Sequence, residues 1–322
     1  MKSGILTVTL NPVKDIIVIP SIGKERAMAG GGGVNVARAI RMLGGEVHTC
    51  VLLSGDTGRW IEEQLLEEQL LYEDSTPPTI IRGEGETRIC KYIFDPMTRD
   101  FKKTDEDINT KLLCNNTTRP TIHRKIWNNI KIALKRDLIN ASSIVFSGSL
   151  PSEISDGYKK LLQITQSYKR PLVTFLDTYG DPLLKALEVN PTYVKINAAE
   201  ASITVKYPVD SIDTAFQAGM DIHDMGASVA IITLGERGAI AVSNEKSWYA
   251  AIPPSINTVG CLGCGDAFLG GFVLELRRQK SLEYALRKGV AAGAANALTY
   301  YPGVVDKKKV EKLMKKVQLI QL

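Results

Sequence analysis

Residues 171–197 read PLVTFLDTYGDPLLKALEVNPTYVKIN and combine two short apolar runs with a helical segment between them. The runs 171–177 and 192–196 have the length and composition of buried strands, and 181–188 has the spacing of a helix. A strand, a helix and a second strand in this order predict parallel strands joined by a right-handed crossover. This stretch therefore indicates an α/β fold.

The same alternation continues on both sides of this stretch. Because strands separated by helices of 10–15 residues need a sheet covered on both faces, we expect a three-layer αβα architecture with a mostly parallel central sheet. The predicted helices are 34–43, 57–71, 126–140, 153–168, 211–226, 264–279 and 281–299, and the predicted strands are 46–53, 143–146 and 228–234, followed by a hairpin-like segment at 238–252.

Two stretches, about 12–28 and 87–104, do not follow the strand–helix alternation and have the alternating or extended pattern of strands. We interpret them as a small β-sheet lid attached to the main sheet. No internal repeat, low-complexity segment or linker divides the rest. The expectation is a single domain over residues 1–322.

Composition limits the classes of partner and the compartment. The 322 residues carry a net charge of +5, with basic residues dispersed except in a cluster at 307–316 that is typical of a solvated helix face. Nucleic-acid binding needs focused basic residues, so neither nucleic acid nor a membrane is expected as a partner. The N-terminus lacks a signal-peptide pattern, and no apolar run approaches the roughly 18 residues that span a bilayer. With five cysteines, an odd and sparse set, the chain is expected to be cytoplasmic with reduced thiols.

The segment most informative about chemistry is 260–272, GCLGCGDAFLGGF, a glycine-rich turn that leads into an apolar helix. Converging amides and the positive end of a helix together form an anion pocket. Asp266 lies in the first turn beside that pocket and can accept a proton from an attacking hydroxyl. In isolation, the pattern is more typical of a helix start with a favourable acidic residue.

Further motifs occur along the chain, and together they resemble the ribokinase-like superfamily. The resemblance is to its phosphofructokinase-B branch of 1-phosphofructokinases and tagatose-6-phosphate kinases, in order and spacing from residue 7 to about 305. The matching segments are TLNPVKD at 9–15, GGGGVNVAR at 30–38, TR at 87–88, SGSLP at 147–151, LDT at 176–178, KINAAE at 195–200, ITLG at 232–235 and AGAAN at 292–296.

This resemblance implies an ATP-dependent carbohydrate kinase that uses Mg²⁺, together with roles for individual residues. Asp266 is the implied general base, with the amides of Gly263, Cys264 and Gly265 as the anion hole. Glu200 is the implied magnesium residue, through water. The implied substrate residues are Asp15, Gly33, Asn35, Arg88 and Gly148, and the implied nucleotide residues are Lys195, Asn197, Glu200, Thr233, Gly235 and Asn296. Asn197 and Glu200 also fit a plain helix cap with its reciprocal partner.

The implied substrate is a ketohexose phosphate, either fructose 1-phosphate or tagatose 6-phosphate, phosphorylated at a primary hydroxyl. Three positions depart from the family pattern. Gly32 stands where the family has a lysine, Cys90 replaces a polar residue, and Gly260-Cys261 replaces an Asp/Asn-Thr/Ser pair, unless a small insertion aligns Asn257-Thr258 there. The missing lysine keeps open a kinase of an unphosphorylated sugar or nucleoside, and a catalytically silent binding relative is a further alternative.

Other classes of function fit less well. The glycine-rich segment at 30–35 lacks the third glycine and the acidic partner of a dinucleotide-binding fingerprint, and the chain has no P-loop motif. One Cys-x-x-C pair, Cys261 and Cys264, is a weak metal signal and is interpreted as small residues in a tight turn. Exposed edges of the lid strands predict a homodimer through the lid.

Overall fold

Parallel pairing joins most strands of the larger sheet, as the strand–helix–strand alternation predicts. The computed structural model describes residues 4–68, 79–95, 100–103, 120–253 and 258–322. The strands are β1 (Gly4–Thr9), β2 (Val13–Ile19), β3 (Lys24–Gly30), β4 (Val47–Leu53), β5 (Thr79–Arg82), β6 (Arg88–Asp95), β7 (Asp100–Lys103), β8 (Ala141–Ser147), β9 (Val173–Asp177), β10 (Tyr193–Asn197), β11 (Val229–Thr233), β12 (Ala239–Ser243), β13 (Trp248–Ala251) and β14 (Gln318–Gln321). The helices are α1 (Gly32–Met42), α2 (Gly55–Glu67), α3 (Arg124–Asp137), α4 (Gly157–Gln166), α5 (Asp181–Leu187), α6 (Ala198–Val205), α7 (Ile212–Asp224), α8 (Cys264–Arg277), α9 (Leu282–Asn296) and α10 (Lys307–Met314).

Within the described residues, the larger sheet has ten strands in the order β14-β13-β12-β11-β10-β9-β8-β1-β4-β5. All pairs from β11 to β5 are parallel, whereas β12, β13 and β14 add an antiparallel edge. The predicted hairpin at 238–252 is the β12–β13 pair. This edge explains why the sheet is mostly rather than entirely parallel.

Side chains that alternate along the central strands enter two separate cores. Ile5 and Ile231 face the core formed with α1, α2, α8, α9 and α10, while Leu6 and Ile232 face the core formed with α3, α4, α5, α6 and α7. This alternation follows from the two-residue repeat of a strand, which sends neighbouring side chains to opposite faces. The predicted three-layer αβα architecture is confirmed.

The second sheet has four strands in the order β3-β2-β6-β7. Its strands β2 and β6 are parallel, whereas β3 and β7 pair antiparallel to them. These strands fall in the two stretches from which the sequence predicts a small β-sheet, although residues 96–99 and 104 of the second stretch lie outside the described residues. We refer to these four strands as the small sheet.

The thiol expectation needs a correction. Cys50, Cys261 and Cys264 are thiols, but Cys90 in β6 is disulfide-bonded, and Cys114 lies outside the described residues. Spacing alone gives no sign of this bond, because disulfide pairing depends on distances in the fold. Among the helices of the described chain, none is long and apolar enough to cross a membrane.

Candidate active site

The carboxyl ends of the parallel strands meet at one edge of the larger sheet. Strands β8, β9, β10 and β11 end there at Ser147, Asp177, Asn197 and Thr233. In open α/β sheets this edge is where ligands bind, because the following loops and helix starts surround a crevice. The N-terminus of α8 reaches the same edge, because Gly265 in its first turn lies next to Lys195 of β10. A Cβ built at Gly265 would be 2.8 Å from Nζ of Lys195.

The turn before α8 requires a glycine for two independent reasons. Gly263 is the N-cap of α8 with φ +75°, and a Cβ at this position would lie 2.5 Å from Cα of Pro302. The Cys264 amide donates to the carbonyl of Cys261 at 3.1 Å and closes the turn. Of the three amides expected to form the anion hole, the Cys264 amide is therefore engaged, whereas those of Gly263 and Gly265 make no backbone hydrogen bond to another described residue.

Asp266 lies in the first turn of α8 and is half-buried, so part of it stays accessible from the crevice. Its Oδ2 accepts a hydrogen bond from Nδ2 of Asn35 at 2.8 Å. Burial raises the pKa of Asp266 to about 7, and the carboxylate of Asp177 adds to the rise, while Lys195, the Asn35 hydrogen bond and Arg38 act in the opposite direction. A carboxyl with a pKa near neutrality is well matched to general base catalysis.

A buried ion pair lies beside Asp266. Nζ of Lys195 is 3.0 Å from Oδ1 of Asp177, and the hydroxyl of Ser147 donates to Oδ2 of Asp177 at 3.2 Å. Burial alone would lower the pKa of the Lys195 ammonium, but the carboxylates of Asp177, Asp266 and Glu200 outweigh it and raise that pKa. Lys195 therefore stays protonated next to the start of α8.

Asp177 is part of the motif at 176–178, but sequence reasoning assigns it no role. The signal for one is present, because an acidic residue directly after a buried parallel strand lies at the ligand-binding edge of the sheet. Arg38 likewise occurs only within the matching segment 30–38. Its contact with Asn35 fits the three-residue spacing of a helix face, whereas its contacts with Ala29, Glu68 and Pro302 cannot be read from spacing.

The glycine-rich start of α1 packs directly against the ends of β1 and β8. A Cβ at Gly33 would lie 2.4 Å from Oγ1 of Thr9. A Cβ at Gly32 would lie 2.3 Å from Oγ of Ser147 and 3.0 Å from the backbone nitrogen of Gly148, which itself has φ +103°. The start of α1 therefore needs glycine at both positions, and this packing leaves no room for a side chain at Gly32.

Asp15 and Arg88 lie on the same face of the small sheet. Arg88 pairs with Val13, two residues before Asp15, and paired residues of neighbouring strands project to the same side. Nη2 of Arg88 donates to the carbonyl of Asn11 at 3.2 Å. Asp15 is buried against Gly30, where a Cβ would be 2.0 Å from its Oδ2. Gly30 thus makes space for the Asp15 carboxylate.

A cavity of about 500 Å³ opens on the other side of the α8 turn. Thr233 and Gly235, two of the implied nucleotide residues, lie in its wall together with Cys264 and Gly265. Much of the remaining wall is apolar and comes from Ile252, Phe268, Val290, Ala294 and Ala297. The cavity therefore joins an apolar slot to the amides at the start of α8.

The remaining implied residues have structural contacts. Asn197 and Glu200 form a capping box for α6, in which Oδ1 of Asn197 accepts from the Glu200 amide and the Glu200 carboxylate accepts from the Asn197 amide, both at 2.9 Å. Asn296 is fully buried, and its side chain bonds the backbone of Leu262, Tyr301 and Gly303. Asn296 thus holds the loops behind the turn and does not line the cavity.

Comparison with known proteins identifies relatives that match nearly the whole chain. The chain is 30% identical to a 1-phosphofructokinase of Borreliella burgdorferi, over 91% of this chain and 92% of that protein. It is 28% identical to a tagatose-6-phosphate kinase of Staphylococcus epidermidis, over 99% and 100% of the two chains. The solved structure of phosphofructokinase-2 from Escherichia coli in complex with potassium superimposes with a TM-score of 0.81 at 26% identity, covering 97% of this chain and 98% of that one. The ribokinase-like fold prediction is confirmed.

Residues 98–307 also match the family model described as pfkB family carbohydrate kinase. This matched range spans most of the chain and includes Asp177, Lys195 and Asp266. The chain belongs to the pfkB family of carbohydrate kinases.

Proposed function

We propose that this protein transfers the γ-phosphoryl group of ATP to a primary hydroxyl of a ketohexose phosphate such as fructose 1-phosphate or tagatose 6-phosphate. The observation that carries the proposal is the carboxylate of Asp266, which lies between the glycine-rich turn on one side and the first turn of α1 on the other. The relatives named as 1-phosphofructokinase and tagatose-6-phosphate kinase support this class of substrate.

The residues around the cavity fit a nucleoside triphosphate. Apolar walls suit the base, and the turn at 263–265 with the adjacent ammonium of Lys195 suits the phosphates. Mg²⁺ is usually held by one or two carboxylates together with the substrate phosphates. Glu200, half-buried at the start of α6, is the carboxylate that would hold Mg²⁺ through water.

The chain's own residues account for proton transfer and charge stabilisation. Asp266 takes the proton of the sugar hydroxyl as that oxygen forms a bond to the γ-phosphorus and the bond to the bridging oxygen of ADP breaks. The amides of Gly263 and Gly265 and the positive end of α8 face the negative charge on the transferred group. Lys195 adds a fixed positive charge beside them. Phosphoryl transfer depends mainly on such positioning and neutralisation.

Recognition of the substrate phosphate is assigned to Arg88, and sugar hydroxyls to Asp15, Gly33 and Asn35. The guanidinium is a planar and permanently charged donor suited to phosphate. Gly32 favours a second candidate, a kinase of an unphosphorylated sugar, because this position cannot supply a cation. However, the close packing against Ser147 accounts for this glycine by itself, so we favour the phosphorylated substrate.

A panel of sugars and sugar phosphates would decide between these candidates. We expect ATP turnover with a ketohexose phosphate, and kcat/KM for the free ketohexose lower by about 10²-fold or more because the interaction with Arg88 is lost. Arg88→Met should remove most of this preference. Equal kcat/KM for the free and phosphorylated sugar would instead support the second candidate, and no ATP turnover with any acceptor would contradict both.

The proposal includes a homodimer formed through the small sheet. The face opposite Asp15 carries Ile16, Val18, Ile89 and Ile93, all half-exposed. Apolar residues on this sheet are suited to pairing with a second copy. Light scattering should give twice the mass of the chain, and Ile16→Glu should halve that mass. A monomeric wild-type protein would exclude the dimer.

Because the reaction consumes ATP, the proposed location is the cytoplasm, which cell fractionation would test.

A further inference from the structure

We propose that Arg38 is a positioning residue that fixes the side-chain amide of Asn35 so that its NH₂ group always faces Asp266. This inference rests on the proposed function, because it concerns the base of that reaction. Nδ2 of Asn35 donates to Oδ2 of Asp266 at 2.8 Å, and Oδ1 of the same amide accepts from Nη1 of Arg38 at 2.8 Å. The amide thus links the guanidinium to the base.

The orientation of this amide matters because its two ends are chemically opposite. If it turned by 180°, Oδ1 would face the Asp266 carboxylate, and two acceptors would repel each other. An arginine has donors only, so it can pair with Oδ1 and not with Nδ2. Asn35 and Arg38 are three residues apart on α1, which places them on the same face of the helix. Both are buried, so water does not readily replace either contact.

Arg38 is itself held by a complete set of partners. Its Nε and Nη2 donate to the two carboxylate oxygens of Glu68 at 2.6 and 3.0 Å. Nη1 also donates to the carbonyl of Pro302 at 3.0 Å, and Nη2 to the carbonyl of Ala29 at 2.5 Å. With Asn35, these contacts use all five N–H groups of the guanidinium. A lysine has three donors without a fixed fork and cannot reproduce them.

The same contacts give Arg38 an electrostatic effect on Asp266. The charged groups that surround Asp266 are Asp177 from the end of β9, Lys195 from β10 and Arg38 from α1. The positive charge of Arg38 favours the ionised base, while its partner Glu68 offsets part of that charge. Removing the charge of Arg38 and removing the charge of Glu68 should therefore shift the titration of Asp266 in opposite directions.

The test is the pH profile of kcat/KM, which rises as Asp266 loses its proton. In Arg38→Met we expect the rising limb to move up by about one pH unit, with most of the lost rate recovered at high pH. In Glu68→Gln we expect it to move down. Arg38→Lys keeps the charge but not the fork, so the limb should stay in place while kcat falls at every pH. Arg41→Met, on the same helix, is the control that should leave the limb unmoved.

If Arg38 had only a structural role, its replacement would lower the amount of folded protein without moving the rising limb of the pH profile. Thermal unfolding of each variant would show how much protein is folded. An unmoved limb in both Arg38→Met and Glu68→Gln, with folded protein, would overturn the inference. If Arg38→Met does not fold, the direction of the shift in Glu68→Gln decides alone. The proposed function fails separately, since it requires Asp266→Asn to lower kcat by about 10²-fold or more whatever the Arg38 variants do.

Discussion

Replacing Asp266 by asparagine should lower kcat by about 10²- to 10⁴-fold, the usual contribution of a general base. Asparagine has nearly the same shape, and its carbonyl oxygen can still accept the hydrogen bond from Asn35. The change therefore removes the site for the proton without opening a cavity. We expect the affinity for ATP to change little, because the amides of the glycine-rich turn are backbone groups. Steady-state kinetics and calorimetric titration with ATP would measure the two quantities.

Asp213→Asn is the matched control for this variant. Asp213 also lies in the first turn of a helix, α7, but it is exposed and does not line the cavity. Its replacement removes an acidic residue favoured by a helix start and should leave kcat unchanged. Wild-type turnover by Asp266→Asn would show that Asp266 is not the base. It would also favour the non-catalytic interpretation of the Gly-x-Gly-Asp turn.

The fold was predictable where its signals are local. The apolar runs at 171–177 and 192–196 are strands β9 and β10, and the helix between them is α5, because burial on both faces and helical spacing can both be read within a short window. β14 was missed, since Gln318–Gln321 is an edge strand with largely exposed side chains and little apolar pattern. β1 was missed as well, although it is central, because it precedes the first predicted helix of the strand–helix alternation.

The candidate site was predictable in its residue types but not in its connections. Glycine-rich turns and acidic residues after strands can be recognised from the sequence, whereas the bond between Asn35 and Asp266 joins residues 231 positions apart. The capping box of Asn197 and Glu200 agrees with the plain interpretation of that motif. For Asn296 the motif and the structure differ. The matching motif predicts that Asn296 lies along the nucleotide pocket, whereas in the structure it is fully buried and its amide bonds the backbone of neighbouring loops.

Replacing Lys195 by methionine should reduce both stability and turnover. Lys195 is buried and the side chain of Asp177 is only 11% exposed. The variant leaves the Asp177 carboxylate without its ammonium partner, a change that costs about 3–5 kcal/mol in the free energy of unfolding when the pair is fully buried and less here. The unpaired charge next to Asp266 should also raise the pKa of the base further, so that less of it is ionised at neutral pH. Urea unfolding and kcat at pH 7 would measure the two effects.

The double variant Lys195→Met/Asp177→Leu separates the effect on stability from the effect on turnover. Replacing a buried ion pair by apolar residues of similar volume is often neutral or stabilising, so the free energy of unfolding should recover towards the wild-type value. Turnover should not recover, because the phosphoryl group then lacks the fixed positive charge beside the amides of Gly263 and Gly265. A stable double variant with wild-type kcat would show that the pair only holds β9 and β10 together and has no part in the transfer.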